Sequence, residues 1–142
     1  MTGDTHDTFV ALDRGTPALF VGSARLLPVV LAGQFFLAGQ SLFADLPWSI
    51  HGVVGGLAAV PIVIMATMAN AIRYLRGFAW WAFVVLLLYG VQIALATSSA
   101  PMLALHPFNA SLLLTAALVL LAKTERRRTL HTLPPKPLQV PH

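Results

Sequence analysis

The sequence predicts an all-α membrane protein, a bundle of four transmembrane helices. Of its 142 residues, 57% are hydrophobic and only 10% are charged, and the mean hydropathy is +0.77. These values lie outside the range of ordinary soluble domains. Most of the charged residues lie between or beyond four long apolar segments. The absence of cysteine excludes disulfides, thiolate-held iron–sulfur clusters, cysteine nucleophiles and covalent c-type haem attachment.

Each apolar segment approaches or exceeds the ~20 residues that cross a hydrocarbon core ~30 Å thick. The four predicted spans are residues 26–43, 47–72, 78–97 and 101–122. Their connections are short, so consecutive spans are expected to be antiparallel neighbours. We therefore predict a cytoplasmic N-terminal segment (1–25), a four-helix transmembrane domain (26–125) and a disordered, proline-rich cytoplasmic tail (126–142).

The basic residues predict the orientation in the membrane. All nine Lys and Arg lie before the first span, between the second and third, or after the fourth. With four crossings these three places share one face, and the positive-inside rule makes that face cytoplasmic. Both termini are then cytoplasmic. The net charge of +4 is thus explained by the topology and the lipid bilayer, and no nucleic-acid partner is expected.

Two histidines, His51 and His106, lie inside the second and fourth spans. An ionisable side chain in hydrocarbon is costly, which makes each a functional hypothesis by default. Neutral imidazole nitrogens are good axial ligands of haem iron, and two of them complete a six-coordinate haem b, whereas zinc uses three or four protein ligands. We therefore predict one metal-binding site in which His51 and His106 hold the iron of a haem b.

Helix-start signals place the two histidines at one level. Asp45 is predicted to cap the second span, with Pro47 in its first turn, and Ser98 or Ser99 before Pro101 repeats the signal in the fourth span. Each histidine then lies about one and a half turns, roughly 8–9 Å, from the helix start. Both helices enter from the outer face, so the predicted site is in the outer leaflet.

Small and polar neighbours complete the predicted cofactor site. Gly55 lies one turn below the first histidine, and Asn109 and Ala110 follow the second. Small residues there leave room for a porphyrin face, although they also permit close helix packing. Asn109 either lines the cofactor or satisfies a carbonyl freed by the nearby proline. Gln40, the glutamine nearest in level, is expected to meet a haem propionate or to fix an imidazole tautomer.

A faint internal repeat links glutamines to the histidines. Gln34 precedes His51, and Gln92 precedes His106, at spacings that differ by three residues. A duplicated helical hairpin would relate the halves by an axis along the membrane normal, each half offering one histidine to a shared site. The alternative interpretation is that the glutamines form hydrogen bonds between helices and bind no ligand.

Two short motifs surround these histidines, WSIHG at residues 48–52 and LHPFNA at residues 105–110. They resemble one half of heme A synthase, whose four-helix halves carry histidines near the outer ends of helices 2 and 4. They are more similar still to a family of small bacterial four-helix membrane proteins with the same two histidine motifs. The resemblance spans residues 26–125 and implies haem binding at the two histidines, in a bacterial inner (plasma) membrane. The chain has one half and no intramembrane carboxylate, so the resemblance does not extend to synthase chemistry.

Three functions follow as hypotheses. The first is a cytochrome b-like protein in the cell membrane that transfers electrons, with a quinone or a redox protein as partner. The second is a non-catalytic subunit or assembly factor whose histidines bridge helices, in a larger complex or a homo-oligomer. The third is a small transporter or quinone site with histidine proton relays. No hydrolase or transferase motif is present, so an electron-transfer protein or subunit is favoured over a stand-alone enzyme.

One observation counts against haem: the outer face lacks a Lys or Arg for haem propionates.

Overall fold

The computed structural model describes Thr8 and residues 11–132, and every regular element within them is helical. Four helical stretches are long and apolar enough to cross a membrane: Ala18–Phe43, Trp48–Ala71, Arg73–Ala96 and Ala100–Thr132. Their large apolar side chains are widely exposed, with Phe36 67% and Phe43 90% accessible. A surface of this kind suits lipid rather than water. The predicted all-α, four-helix membrane fold is confirmed.

Three of the four spans are divided into shorter elements. The elements are α1 (Ala18–Phe43), α2 (Trp48–Leu57), α3 (Ala59–Ala71), a 3₁₀ turn (Arg73–Phe78), α4 (Ala79–Ala96), α5 (Ala100–Leu103) and α6 (His106–Thr132). Span 2 therefore comprises α2 and α3, and span 4 comprises α5 and α6. Prolines explain the breaks in spans 2 and 4. Pro61 cannot donate to the carbonyl of Leu57, and Pro107 cannot donate to that of Leu103, so each helix is interrupted just before its proline.

The helix ends differ from the prediction in several places. The first helix begins at Ala18 instead of Leu26, and residues 126–132, predicted as part of the tail, continue α6. Residues 133–142 of that tail lie outside the described residues. Asp45 does not cap α2: it adopts a left-handed conformation (φ 54°), and Pro47 occupies the cap position. Ser99 does stand at the cap position of α5, without a side-chain bond.

The helices form a four-cornered bundle. Neighbouring pairs are α1 with α2 and α3, α3 with α4, α4 with α6, and α6 with α1. Spans 2 and 4 therefore lie at diagonal corners, facing each other across the bundle as the shared-cofactor hypothesis requires. Consecutive spans are neighbours, as their short connections predict.

The tightly packed core occupies only one half of the bundle. Its largest fully buried apolar side chains are Phe20, Leu27, Ile62, Met65, Leu75, Phe78, Leu113 and Leu120. All except Leu113, which lies seven residues after His106 in α6, lie toward the end that carries the described chain termini and the 3₁₀ turn. In contrast, α2 has no buried residue, and α1 has none after Leu31. The half of the bundle near the 44–47 and 97–99 connections is thus left open.

A buried arginine ties the N-terminal segment to α6 at the packed end. The Arg127 side chain is 1% exposed and donates to the carbonyls of Thr8, Ala11 and Arg14 at 2.8, 3.0 and 3.2 Å. Its guanidinium also lies 5.7 Å from the ring centroid of Tyr74. All the described Lys and Arg residues belong to this end, in agreement with the predicted charge pattern, while the sidedness in the membrane stays a prediction.

Candidate functional site

The open half of the bundle encloses a cavity of about 500 Å³. This volume is within the range of about 300–1,000 Å³ that is usual for small-molecule sites. Apolar side chains, glycine and alanine make up most of the lining. The polar side chains that face it are Gln34, Trp48, His51, Tyr89, Gln92 and His106. No Lys, Arg, Asp or Glu of the described residues lines this cavity.

His51 and His106 face each other across the cavity. Their ring centroids are 6.2 Å apart, and the ring planes are inclined by 56°. His51 comes from α2, and His106 is the first residue of α6, just beyond the break caused by Pro107. The two rings therefore share one level of the bundle, as predicted from the helix-start signals, although Asp45 is not the cap.

A chain of amide hydrogen bonds holds His106. The Asn109 side-chain nitrogen donates to the backbone carbonyl of Leu88 at 2.9 Å and to Oε1 of Gln92 at 2.6 Å. The Gln92 amide nitrogen then lies 2.9 Å from Nε2 of His106. Because a backbone carbonyl can only accept, Leu88 fixes the amide orientation of Asn109, which in turn fixes that of Gln92. The Gln92 amide therefore donates to His106.

The Nδ1 atom of His106 is the other nitrogen of this ring. It is buried and has no hydrogen-bond partner among the described residues. A buried polar nitrogen without a partner is costly in an apolar environment, and in native proteins it calls for an explanation. A bound group in the adjacent cavity would provide one.

Gln34 holds His51 in a similar way. One amide orientation satisfies every group around Gln34: its nitrogen donates to Nδ1 and to the carbonyl of His51 at 3.2 and 3.0 Å, and its oxygen accepts from the Gly55 N–H at 3.2 Å. The His51 carbonyl and the Gly55 N–H dictate this orientation, since one can only accept and the other only donates. Each histidine is thus held by the glutamine that precedes it in the proposed repeat.

Two aromatic residues contact α2, the helix that carries His51. The Tyr89 hydroxyl of α4 donates to the carbonyls of Gly55 and Gly56 at 3.1 and 3.3 Å. It thereby joins α4 to the end of α2, close to the helix break. The Trp48 ring lies edge-on to His51, with centroids 5.7 Å apart, and restricts the orientation of the imidazole.

The predicted site residues separate into two groups. His51, His106, Gly55 and Ala110 all line the cavity. The other two do not belong to the described lining. Asn109 is 6% exposed and lies behind the site, where it neither touches the cavity nor satisfies the Leu103 carbonyl freed by Pro107. Gln40 also lies outside the lining, beyond Gln34 on α1.

Sequence reasoning did not assign four polar residues of the lining to the site: Gln34, Trp48, Tyr89 and Gln92. Gln34 and Gln92 were expected to bond between helices, which they do, but their partners are the two histidines. The repeat carried this signal, because it placed a glutamine at the corresponding position before each histidine. Nothing in the sequence singled out Tyr89, whose role depends on its position across the bundle from Gly55.

The described residues contain no group of three or more His, Cys, Asp or Glu side chains able to hold a metal ion. This arrangement does not match the three or four protein ligands typical of zinc. Two opposed imidazoles do match the ligand set of a six-coordinate haem.

Comparison with known proteins found one family whose sequences are similar to part of this chain. A family of unknown function (DUF6220) matches residues 34–100, a region that begins at Gln34, includes His51 and Gln92, and ends before His106. No curated protein and no solved structure matches the chain. The resemblance to one half of heme A synthase therefore stays a prediction.

Proposed function

We propose that this protein holds one haem b between His51 and His106 and transfers electrons in the membrane. The observation that carries the proposal is the pair of imidazoles 6.2 Å apart, centroid to centroid, across a cavity of about 500 Å³. When held by two imidazoles, a haem b supplies one-electron transfer at an iron with no open coordination position.

The separation of the rings leaves room for one metal ion, which His51 and His106 would hold. Imidazole nitrogens lie about 2.0 Å from a bound metal such as zinc, and each ring centroid is about 1 Å behind its nitrogen. Two opposed rings on one ion therefore have centroids about 6 Å apart, close to the observed distance.

The walls of the cavity leave room for a flat apolar group. Gly52, Gly55 and Gly56 on α2 and Ala110 on α6 all line it. A methyl group added at Gly52 or Gly56 would meet no atom within 4 Å, so both positions border open space. Burial of such a group would fill the half of the bundle in which the helices contribute little core of their own.

The protein's own residues would hold and isolate the group. His51 and His106 would bind it, while Gln34 and Gln92 orient the imidazoles. The apolar walls would limit access of water to the site. No charged side chain of the described residues lines the cavity, so neutral donors such as the Trp48 indole would have to serve any carboxylate. Neutral hydrogen-bond donors can stabilise a carboxylate.

A reduced-minus-oxidised absorption spectrum tests the proposal directly. Protein purified in detergent, or reconstituted with haemin, is expected to show the spectrum of six-coordinate, low-spin haem. His51→Ala and His106→Ala are each expected to remove or severely weaken it. His131→Ala is the matched control, because His131 binds the Leu12 carbonyl at the other end of the bundle. It is expected to leave the spectrum unchanged.

The opposite result would identify a different role. If well-folded wild-type protein takes up no haem after reconstitution, the haem proposal fails. The Gln34–His51 and Gln92–His106 bonds each join neighbouring helices, and this observation favours the second candidate, a non-catalytic membrane subunit whose histidines bridge helices. In that case both alanine variants would lower stability without affecting any spectrum.

A further inference from the structure

We infer that Gln34 and Gln92 are positioning residues that decide which nitrogen of each histidine carries the proton, and that binding of a haem reverses this choice. The part about binding rests on the proposed function. The part about the protons rests only on the hydrogen bonds.

The amide orientations determine the proton positions. A ring nitrogen that accepts a hydrogen bond carries no proton, so an imidazole that accepts from a glutamine is neutral, with one donor and one acceptor nitrogen. Because Gln92 donates to Nε2 of His106, the proton of His106 lies on Nδ1. Because Gln34 donates to Nδ1 of His51, the proton of His51 lies on Nε2.

The protonated nitrogens are the ones left for a ligand. Nε2 of His51 and Nδ1 of His106 are the ring nitrogens that the glutamines do not contact, yet an N–H has no lone pair to give to iron. For either of these nitrogens to hold iron, its ring proton would have to lie on the glutamine-facing nitrogen, with no change in the charge of the ring. Each glutamine must then present its oxygen, as is usual for partners of metal-bound histidines.

The surrounding groups resist this reversal. Asn109 and the Leu88 carbonyl hold the Gln92 amide in its donating orientation, and the Gly55 N–H and the His51 carbonyl hold that of Gln34. The free protein is thus arranged against ligation, and the resistance lowers the affinity for haem. A side chain at position 92 that only accepts would remove it.

Gln92→Glu is the decisive variant. One carboxylate oxygen can accept from Asn109 while the other accepts from Nε2–H of His106, so neither neighbour has to turn. We expect the proton of His106 to move to Nε2 and the affinity for haem to rise by about 10-fold, the scale on which outer partners alter metal binding. Asn70→Asp is the matched control, because the Asn70 amide donates to the Ala66 carbonyl of its own helix, and Asn70 does not line the cavity around the histidines.

The first measurement needs no haem. Histidine ¹⁵N NMR of the full chain in detergent, without haem, distinguishes protonated from bare ring nitrogens, and the single His→Ala variants assign the signals. We expect protonated Nδ1 on His106 and protonated Nε2 on His51. Gln92→Leu, which removes the donor without adding charge, is expected to abolish the preference in His106 and to leave that of His51 unchanged.

The second measurement is a haemin titration of wild type, Gln92→Glu and Asn70→Asp. A bare Nδ1 on His106 in the wild type, or an unchanged affinity in Gln92→Glu, would overturn the inference while leaving the haem proposal intact. If no variant takes up haem but the NMR pattern is as expected, the proton assignment stands and the proposed function fails.

Discussion

Two adjacent glycines of α2 provide a matched test of the contact that holds His51. A methyl group at Gly55 would lie 3.2 Å from the side-chain amide nitrogen of Gln34, in the orientation that bonds His51, and 3.8 Å from its Cδ, whereas one at Gly56 would meet nothing within 4 Å. Both residues line the cavity and have helical backbone conformations. The two alanine variants therefore differ mainly in whether they displace Gln34.

The expected difference follows from two opposing terms. Replacing glycine by alanine within a helix stabilises it by about 0.5–1 kcal/mol. At Gly55 this gain is offset by loss of the Gln34 bonds to His51 and to the Gly55 N–H, worth roughly 0.6–2 kcal/mol between membrane helices. We expect Gly56→Ala to raise the free energy of unfolding by about 0.5–1 kcal/mol. The free energy of unfolding of the Gly55→Ala variant should be lower than that of the Gly56→Ala variant by roughly 0.6–2 kcal/mol.

Reversible unfolding in mixed detergent micelles, followed by circular dichroism, measures both variants against wild type. Histidine ¹⁵N NMR provides the structural readout, since displacement of Gln34 should release the tautomer preference of His51 in Gly55→Ala only. Equal stabilisation of both variants, with the His51 signals unchanged, would refute the close Gln34–Gly55 contact on which the reasoning depends.

Three further results are expected. Tyr89→Phe should lower the free energy of unfolding by about 1 kcal/mol, measured as above, because it removes the hydroxyl bonds to the Gly55 and Gly56 carbonyls; no loss would contradict that bond. Arg127→Met should speed proteolysis of the N-terminal segment, read by mass spectrometry, while leaving the haem spectrum unchanged, and an unchanged cleavage rate would argue against its role as a tie. One-sided reporters fused at Ser98 and at the C-terminus should report opposite faces, and a cytoplasmic Ser98 loop would invert the predicted topology.

The fold could be predicted because its main determinant is local. Four apolar stretches of membrane length leave little choice other than helices, since backbone groups in hydrocarbon must be satisfied within the segment. The short connections then predict antiparallel neighbours. The helix ends were harder: no composition rule showed that α1 begins at Ala18 or that residues 126–132 extend α6. At that end Arg127 of α6 bonds carbonyls of the N-terminal segment that are 113–119 residues away along the chain, a contact that no local pattern predicts.

The site was only partly predictable. His51 and His106 stood out because ionisable residues are rare in such segments, and Gly55 and Ala110 followed from helical spacing. The position of Gln40 along the helix axis matches that of the histidines. Axial position alone does not determine the direction in which a side chain points, and Gln40 lies outside the lining of the cavity. Asn109 lies next to the site but does not line the cavity. Its side chain points to α4 and acts on His106 through Gln92.

The sequence by itself determined the helical class, the four spans, the charge pattern along the chain and the two histidines, because each depends on composition or on spacing within one segment. Only the tertiary structure decided that spans 2 and 4 take diagonal corners, that the core fills one half of the bundle, and that each glutamine donates to a histidine. These features arise from side chains of different helices meeting at particular distances and angles. The direction of each hydrogen bond determines which imidazole nitrogen carries the proton. It depends on contacts between helices and cannot be read from any single segment.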